Sequence, residues 1–490
     1  MVGGKMNPQE EFFVGRDHEL QVLRELFNKS ASSLVVCRGR RRIGKSTLIQ
    51  HFGQFADTFI QFQGLPPRKG LSMSDQLRSF SEQLARQTGI PPVGIDSWDK
   101  AFSLLNHQLK EKKTVVLLDE ISWMADGAPD FAGTLKIAWD TLFSKRARLV
   151  LVLCGSVSSW MDANILNNTG FVGRVTTTLT LEQLPLYFCN QFWGARRARV
   201  SSYEKLQFLA VSGGVPRYLR ELVPSESTAH AIRRLCFFPE GLLFNEFGQI
   251  FQDIFSQRSE TYRAIVETLS DGPRTQQQIA QSLGKERSGY LGTCLEDLEL
   301  SGFVRHSSAA LVGKTDGSRH HPYRIIDNYL RFYLKYIRPI ADNIKQGLYR
   351  GAHLSTIVPW DTILGIQMET LVLNNIPALL KLLQIEPGTV LRAGPYIQRK
   401  TNRQRACQVD VLIETRRALF LGEIKCRRVI GSDVLQEVED KIQSLRIPPG
   451  KSVRPFLICE GAVASEITED RYFDRVIPFS EFLETPLNNG

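Results

Sequence analysis

A nine-residue segment near the N-terminus has the composition of a phosphate-binding loop. Gly39, Gly44, Lys45, Ser46 and Thr47 fit the pattern G-x-x-x-x-G-K-[ST], between an apolar run and a stretch of helical period. The glycines let consecutive N–H groups point at phosphate oxygens, and the following helix adds the positive end of its dipole. Lys45 is then placed to reach the β- and γ-phosphates, and the Ser46 hydroxyl to bind Mg²⁺. We therefore predict that ATP with Mg²⁺ binds to Gly39, Arg40, Arg41, Arg42, Ile43, Gly44, Lys45, Ser46 and Thr47.

Two acidic residues follow a buried strand candidate further along the chain. The run Val115–Leu118 is apolar throughout and ends at Asp119 and Glu120. In open α/β sheets ligands bind at the carboxyl ends of strands, so Asp119 is placed to hold Mg²⁺ and Glu120 to deprotonate the attacking water. Ser156, after the next strand candidate, is placed to contact the γ-phosphate or is an ordinary strand-end serine.

A second chemical constellation lies near the C-terminus. Asp410 and Glu423 fall on two strand candidates joined by a short turn, and Lys425 projects on the same side as Glu423 because strand side chains alternate. Two carboxylates can hold Mg²⁺ or Mn²⁺ that polarises a phosphodiester, with Glu369 as a further ligand and the lysine steadying water or charge. The alternative is a chance E-x-K pattern. Four basic residues just before Asp410 either contact a phosphate backbone or form a solvated loop: Arg399, Lys400, Arg403 and Arg405.

The first part of the chain has the pattern of a parallel sheet wrapped by helices. Short, continuously apolar runs alternate with stretches of helical period, as expected for strands buried on both faces. The predicted strands are Leu34–Cys37, Phe59–Phe62, Val115–Leu118, Leu149–Cys154 and Thr176–Leu181.

The pattern changes to helix, helix, turn, helix and strand from about Thr261, which is the element order of a winged helix. Thr275 is predicted to cap the second helix, and His306–His321 to form the wing. Lys285, Arg287 and Arg305 favour DNA contact, whereas acidic residues on the third helix favour a protein-packing spacer; these are Glu296, Asp297 and Glu299.

The last third predicts an aromatic-rich packing helix followed by a further α/β unit. The predicted elements are the helices Asp327–Pro339, Gly365–Leu383 and Asp433–Leu445 and the strands Val409–Glu414, Leu419–Lys425 and Val453–Cys459.

Bulk composition limits the class of protein. The 490 residues are too many for one core, and the net charge of +10 suits a polyanionic partner such as DNA or else describes a solvated basic surface. The eight cysteines form no C-x-x-C pair, which excludes the usual zinc and disulfide patterns. With no apolar run of membrane length and a polar start, we expect a cytoplasmic protein that does not contact membranes.

The N-terminal half resembles the archaeal-type branch of the AAA-like, STAND-related P-loop ATPases. The resemblance rests on FVGRD from Phe13, GRRRIGKST, LLDEISWM, LCGSVSSWM, FVGR ending at Arg174, and GGVPRYL from Gly213. It implies that Pro216 belongs to a Gly-x-Pro element of the nucleotide site. It also makes Arg174 a candidate to meet the γ-phosphate, with a structural salt bridge as the alternative.

The C-terminal unit resembles the PD-(D/E)XK nuclease superfamily. Asp410 is similar to the first acid and Glu423-Ile424-Lys425 to the E-x-K, although Val409 stands where proline is common. Gln436 falls where many members carry a helical glutamine or lysine. The resemblance implies a restriction-endonuclease-like fold, with or without working cleavage.

These features together predict an α/β protein with a P-loop NTPase parallel-sheet domain, a winged-helix middle domain and a C-terminal restriction-endonuclease-like α/β domain. The predicted boundaries are 1–255 for the ATPase with its helical lid at about 182–255, 256–335 for the winged helix, 336–360 for a linker and 361–490 for the nuclease-like domain. The leading hypothesis is an ATPase that controls a metal-dependent nuclease acting on DNA. The alternatives are a regulatory ATPase whose inactive nuclease-like domain binds only DNA or a protein partner, itself included, and a DNA-binding regulator acting through the winged helix.

Overall fold

The computed structural model describes residues 13–486 except 69, 157–158, 224, 256–258, 285–288, 307–321, 399 and 401–404. The chain divides into two compact units, with the boundary between Glu182 and Gln183. The predicted wing at His306–His321 lies almost wholly outside the described residues.

The first unit is built on a five-stranded, all-parallel sheet in the spatial order β2-β3-β4-β1-β5. Every residue of the third strand is buried, as the continuous apolar pattern predicted for a sheet covered on both faces. All five predicted strands are confirmed. They are β1 Ser33–Gly39, β2 Thr58–Gln63, β3 Thr114–Asp119, β4 Leu149–Ser156 and β5 Val175–Leu181.

Helices cover the two faces of this sheet and give two separate apolar cores. Local signals fix several of their ends: Ser72 and Asp75, for example, form a reciprocal capping box at the start of the third helix. The helices of this unit are α1 Asp17–Leu26, α2 Lys45–Gly53, α3 Met73–Thr88, α4 Trp98–Gln108, α5 Ile121–Met124, α6 Phe131–Thr141 and α7 Ser159–Met161.

The second unit begins with helices and a two-stranded ribbon. The predicted Thr275 cap is confirmed, since its hydroxyl accepts a hydrogen bond from the backbone N–H of Gln278. The elements are α8 Leu186–Cys189, α9 Ser202–Ser212, α10 Pro216–Leu219, α11 Thr228–Cys236, α12 Leu242–Phe255, α13 Ser259–Thr268, α14 Gln276–Ser282, α15 Gly289–Leu300, β6 Val304–His306 and β7 Tyr323–Ile325. The two strands are antiparallel.

The chain then continues through short helices into a mixed five-stranded sheet of order β12-β11-β10-β9-β8. The strands β8, β9 and β10 are antiparallel neighbours, whereas β10, β11 and β12 run parallel. The elements are α16 Asn328–Phe332, α17 Ala341–Lys345, α18 Leu354–Ile357, α19 Trp360–Leu373, α20 Ile376–Leu382, β8 Val390–Gln398, β9 Cys407–Thr415, β10 Ala418–Ile430, α21 Asp433–Ser444, β11 Ser452–Val463, α22 Ser465–Glu469, β12 Arg475–Pro478 and α23 Phe479–Glu484.

Two predicted helices are wrong in detail. The single helix predicted over Gly365–Leu383 is two helices, α19 and α20, which meet at 84°. Asn375 folds its side-chain amide back onto the carbonyl of Leu371, and a proline in the first turn of α20 cannot continue the preceding helix. The predicted helix Asp327–Pro339 is α-helical only to Phe332 and continues as a π turn and a 3₁₀ turn.

Buried polar contacts join distant segments of the second unit. The Arg331 guanidinium donates to the side chains of Gln367 and Thr370 on α19, at 3.0 and 2.7 Å. Gln367, with no exposed surface, donates in turn to the carbonyls of Ala210 and Asn328. The stretch predicted as a linker carries α17 and α18, whose Ile344 and Leu354 are buried in the same core as α19. The predicted domain boundaries within this unit stay predictions.

Among the described residues, no single helix has the length and apolar character to cross a membrane. The bent pair of helices α19 and α20 reaches this length and apolar character only when the two helices are counted together. Both helices belong to the buried core of the second unit.

Candidate functional site

The backbone of the loop after β1 makes the turn that its glycines predict. Gly39 and Gly44 adopt φ of +156° and +91°, and a Cβ on Gly39 would lie 2.5 Å from the Leu181 carbonyl oxygen. Lys45 begins α2, and its ammonium donates to the carbonyls of Gly39 and Arg40 at 3.0 and 3.1 Å. The lysine is thus folded over the loop, 6% exposed, and its ammonium is held by two backbone carbonyls.

Arg16 holds the phosphate-binding loop in place through hydrogen bonds of its side chain. Its guanidinium donates to the Ile43 carbonyl at 3.3 Å and to the Glu182 carbonyl at 2.5 Å. Glu182 is the last residue of the first unit, so one buried side chain joins the loop to the unit's end. Sequence reasoning assigned Arg16 to a motif but did not find this role.

The two halves of the predicted site meet at Ser46 and Asp119. The Ser46 hydroxyl donates to a carboxylate oxygen of Asp119 at 2.7 Å, across 73 residues of sequence. Both are oxygen donors, the ligand type that Mg²⁺ prefers. Together with the glycine cradle and Lys45, the residues present fit a nucleoside triphosphate with its Mg²⁺.

Glu120 occupies an unusual backbone position beside this pair. Its φ of 51° is left-handed, which is uncommon for a residue with a side chain and clusters at functional sites. Burial raises the pKa of the Glu120 carboxyl, opposed by the Lys45 charge and reinforced by Asp119, while a hydrogen bond from the Ser156 backbone lowers it. A carboxyl group with a raised pKa is suited to accept a proton.

Two further residues were predicted for the nucleotide site, Arg174 and Pro216. Arg174 forms a bidentate pair with Asp140 on α6, at 2.7 and 2.9 Å, and this pairing lowers the pKa of Asp140 to about 2. Pro216 begins α10 in the second unit, two residues after Gly214, whose N–H donates to the Gln183 side chain at 2.8 Å. The structure thus shows Arg174 in the ion pair that was the alternative to phosphate contact.

The second predicted constellation is assembled by the mixed sheet. Val411 pairs with Gly422, so Asp410 and Glu423 lie next to each other on β9 and β10. One Asp410 oxygen accepts a hydrogen bond from the Ile424 N–H at 3.0 Å, and the Lys425 ammonium lies 2.9 Å from Glu423. Burial raises the pKa of Asp410 to about 7, with the neighbouring Glu423 charge adding to the effect and Lys441 opposing it.

A second lysine, which sequence reasoning missed, completes this site. Lys441 on α21 donates to the other oxygen of Glu423. Glu437, one turn earlier on the same helix, accepts a hydrogen bond from Lys425 at 2.5 Å. Glu437 and Lys441 are four residues apart and so lie on one face of α21, and this spacing is the sequence signal that could have revealed Lys441. Gln436, predicted for the helical position, instead bonds Asp440 on an exposed face.

Glu369 lies on α19 at the edge of this cluster. Burial raises the pKa of its carboxyl, the charges of Arg324 and Arg331 lower it, and Glu423 raises it further. Within the described part of the chain, no three His, Cys, Asp or Glu side chains are grouped so that they could hold a metal ion. The donor oxygens of Asp410 and Glu423 suit a divalent cation, but both oxygens of Glu423 are engaged by ammonium groups.

Several predicted DNA contacts fall on segments that the structure does not describe. These are Arg399 and Arg403 before β9 and Lys285 and Arg287 before α15. Of the three acidic residues on α15, Asp297 accepts from Tyr262 at 2.6 Å and Glu299 binds His306.

Comparison with known proteins supports the first of the two sites. Residues 28–159 match the family model described as an AAA domain. The chain is 23% identical over 342 residues to the uncharacterized protein MJECL04 of Methanocaldococcus jannaschii, a match that covers 69% of this chain and 71% of that protein. The Walker-type ATPase PABY2304 of Pyrococcus abyssi is similar in structure, with a TM-score of 0.51 and 17% identity, over 68% of this chain and 99% of that one. The chain therefore carries an ATP-binding P-loop ATPase domain of the AAA type.

Proposed function

We propose that the first unit hydrolyses ATP. The observation that supports this most directly is the 2.7 Å contact between Ser46 and Asp119, beside the raised-pKa carboxyl of Glu120. Lys45 binds the β- and γ-phosphates by leaving the carbonyls of Gly39 and Arg40, and Glu120 takes the proton of the attacking water. Mg²⁺, held by Ser46 and Asp119, supplies positive charge to the phosphate oxygens when bound. Pro216 contributes to the nucleotide site, and Arg174 meets the γ-phosphate if ATP binding releases it from Asp140.

ATP turnover by Glu120→Gln tests this assignment. Glutamine keeps the shape of the side chain but cannot accept a proton, so turnover should fall by about two orders of magnitude while ATP binding stays within a few-fold of wild type. Glu111→Gln, at an exposed glutamate on the loop before β3, is the matched control. Turnover by Glu120→Gln at the wild-type rate would show that Glu120 is not the base.

We further propose that this ATPase controls a metal-dependent nuclease site in the second unit, which acts on DNA. Support comes from the sheet register that brings Asp410 beside Glu423 and Lys425, and from the +10 net charge of the chain. A divalent ion held by the two carboxylates would polarise a phosphodiester. Lys425 positions water or stabilises developing negative charge, and the elements α13 to β7, proposed as a winged helix, connect the nuclease site to the rest of the chain.

Divalent-ion-dependent cleavage of DNA tests the nuclease proposal. Wild type should cut with Mn²⁺ or Mg²⁺, and Asp410→Asn should reduce the rate at least a hundredfold because it removes an anionic ligand. Asp433→Asn, an exposed acid paired with Arg427, is the control. Residual cutting at the wild-type rate in Asp410→Asn would point to a contaminating nuclease.

The second candidate function is a regulatory ATPase whose nuclease-like unit binds DNA or a protein without cutting. The double engagement of Glu423 by Lys425 and Lys441 favours it, because a metal ion must displace an ammonium to reach this carboxylate. Titration with Mn²⁺, followed by its paramagnetic resonance signal, separates the two. If wild type binds Mn²⁺ and this binding is lost in both Asp410→Asn and Glu423→Gln, the result supports the nuclease. If wild type binds no more Mn²⁺ than Asp410→Asn does, the result supports the regulator.

A further inference from the structure

The β7 strand carries a buried arginine that has no described partner. Arg324 is 8% exposed, yet within the described residues its guanidinium makes no hydrogen bond or ion pair. It lies across the two-stranded ribbon from Arg305 on β6. Removing a charge from water without a partner is costly, so buried guanidinium groups are normally paired.

The surroundings of Arg324 connect it with the C-terminal carboxylate site. The neighbouring Arg331 donates to the Ile325 carbonyl on β7 and, on α19, to Gln367 and Thr370, which flank Glu369. The same guanidinium therefore holds the strand that bears Arg324 against the turn that bears Glu369.

Glu369 lies on α19, which packs against α16, the helix of Arg331, and against β10, the strand of Glu423. The charges of Arg324, Arg331 and Lys441 lower the pKa of the Glu369 carboxyl, and that of Glu423 raises it. Burial lowers the pKa of Arg324 to about 10, with Glu369 opposing this and the positive charges of Arg331 and Arg305 adding to it. The charges of Arg324, Glu369 and Glu423 thus influence one another in turn.

An anion is the ligand that this arrangement lacks. Arg324 and Arg331 share one carboxylate, Glu369, and Arg305 adds a third positive charge across the ribbon from Arg324. A guanidinium presents paired N–H donors in a planar fork that matches two phosphate oxygens. A phosphate bound here would supply the missing partner of Arg324 beside the two candidate metal ligands.

We infer that Arg324 binds a backbone phosphate of a nucleic acid strand and so positions that strand at Asp410 and Glu423. This inference rests on the proposed function of the second unit as a DNA-directed site. It adds a residue from the two-stranded ribbon to a site whose other members come from α19, β9, β10 and α21. The same chemistry would accept free inorganic phosphate, which the experiment separates from a strand.

Fluorescence anisotropy of a labelled 20-nucleotide DNA, single- or double-stranded, tests this in EDTA at fixed salt. Arg324→Gln should weaken binding about tenfold or more, and Arg324→Lys should recover part of the loss because it keeps the charge without the fork. The slope of log affinity against log salt should fall by about one in Arg324→Gln. The control is Arg350→Gln, an exposed arginine paired with Glu240, which should bind as wild type does. Equal affinity for wild type and Arg324→Gln would overturn the inference.

Two further measurements separate the other outcomes. Arg324→Gln should unfold at the wild-type urea midpoint or above, since no described hydrogen bond is lost, and a clear loss of stability would assign Arg324 a structural role and overturn the inference. A third outcome is that millimolar inorganic phosphate stabilises wild type but not Arg324→Gln, while the two proteins bind DNA with equal affinity. That result would assign the Arg324 guanidinium to free phosphate instead. Because binding is measured without divalent ions, a wild type that binds DNA but never cuts would refute the nuclease and leave this inference standing.

Discussion

The nucleotide site and the C-terminal site both combine lysines with carboxylates that a sheet positions, but they use the lysines differently. At the nucleotide site Lys45 donates to two backbone carbonyls and leaves Asp119 to the Ser46 hydroxyl. At the C-terminal site Lys425 and Lys441 both bind Glu423 directly. A lysine held by carbonyls can turn to an incoming phosphate at little cost, whereas an ammonium bound to a buried carboxylate must be displaced before a cation can bind.

The two sites also differ in how they are built. The nucleotide site takes most of its residues from one contiguous loop, and the C-terminal site draws on β9, β10, α19 and α21. The first therefore depends on backbone shape and the second on the packing of separate elements. The following substitutions test that difference, beginning with the largest expected effect.

Lys45→Ala removes the charge from the nucleotide site. We expect ATP affinity to fall on the order of a hundredfold, because a charge-assisted contact to phosphate is lost and the loop carbonyls lose their donor. Equilibrium binding of a fluorescent ATP analogue measures this, with the exposed Lys110→Ala as the control. Unchanged affinity would mean that the loop binds nucleotide through its backbone alone.

Gly422→Ala disturbs the packing that presents Glu423. A Cβ at this position would lie 2.3 Å from the ring of Phe456, and crowding of this kind costs about 1–3 kcal/mol. Gly365→Ala on α19 meets nothing within 4 Å and should be neutral or stabilising by up to about 1 kcal/mol. Urea unfolding of the two variants measures the contrast, and equal stability would show that β10 shifts freely.

Lys441→Met breaks one of the two ammonium contacts of Glu423. The Glu423 side chain is 3% exposed, so losing a partner should destabilise the second unit by about 1–3 kcal/mol. If a metal ion can replace the lysine, Mn²⁺ should restore the urea midpoint in Lys441→Met but not in Lys441→Met with Asp410→Asn. A Lys441→Met variant as stable as wild type would mean that Lys425 alone neutralises Glu423.

Asp140→Asn should have the smallest effect, below about 1 kcal/mol, because the Asp140–Arg174 pair is partly exposed to solvent, which screens it. The pairing depresses the folded pKa of Asp140 from 3.8 to about 2. Its contribution is therefore fully present above about pH 4 and is lost as pH falls towards 2. Acid unfolding of wild type and Asp140→Asn should converge below pH 2. If Arg174 contacts the γ-phosphate, Asp140→Asn should hydrolyse ATP at the wild-type rate or faster. A slower rate would mean that ATP turnover requires the Asp140–Arg174 ion pair.

The sequence predicted the first unit well because its signals are local. Three continuous apolar runs and two partly polar ones mark the strands, and a glycine-lysine motif fixes the loop. The second site was predicted only in part. The four-residue spacing of Glu437 and Lys441 places both on one face of α21, but only tertiary packing brings that face to Lys425 and Glu423. The proposed role of Arg324 depends on its burial, which no local pattern predicts. The helix break at Asn374 and Asn375 was missed because the apolar pattern continues across it, while the side-chain amide of Asn375 competes locally with the helix.

The central claim is that the nucleotide site controls a nuclease at Asp410 and Glu423. Plasmid cleavage in Mn²⁺ or Mg²⁺, with and without ATP, tests it most directly in wild type, Lys45→Ala and Asp410→Ala. We expect cutting that disappears in Asp410→Ala and loses its response to ATP in Lys45→Ala. ATP hydrolysis without cutting under any of these conditions would contradict it and assign the second unit to binding alone.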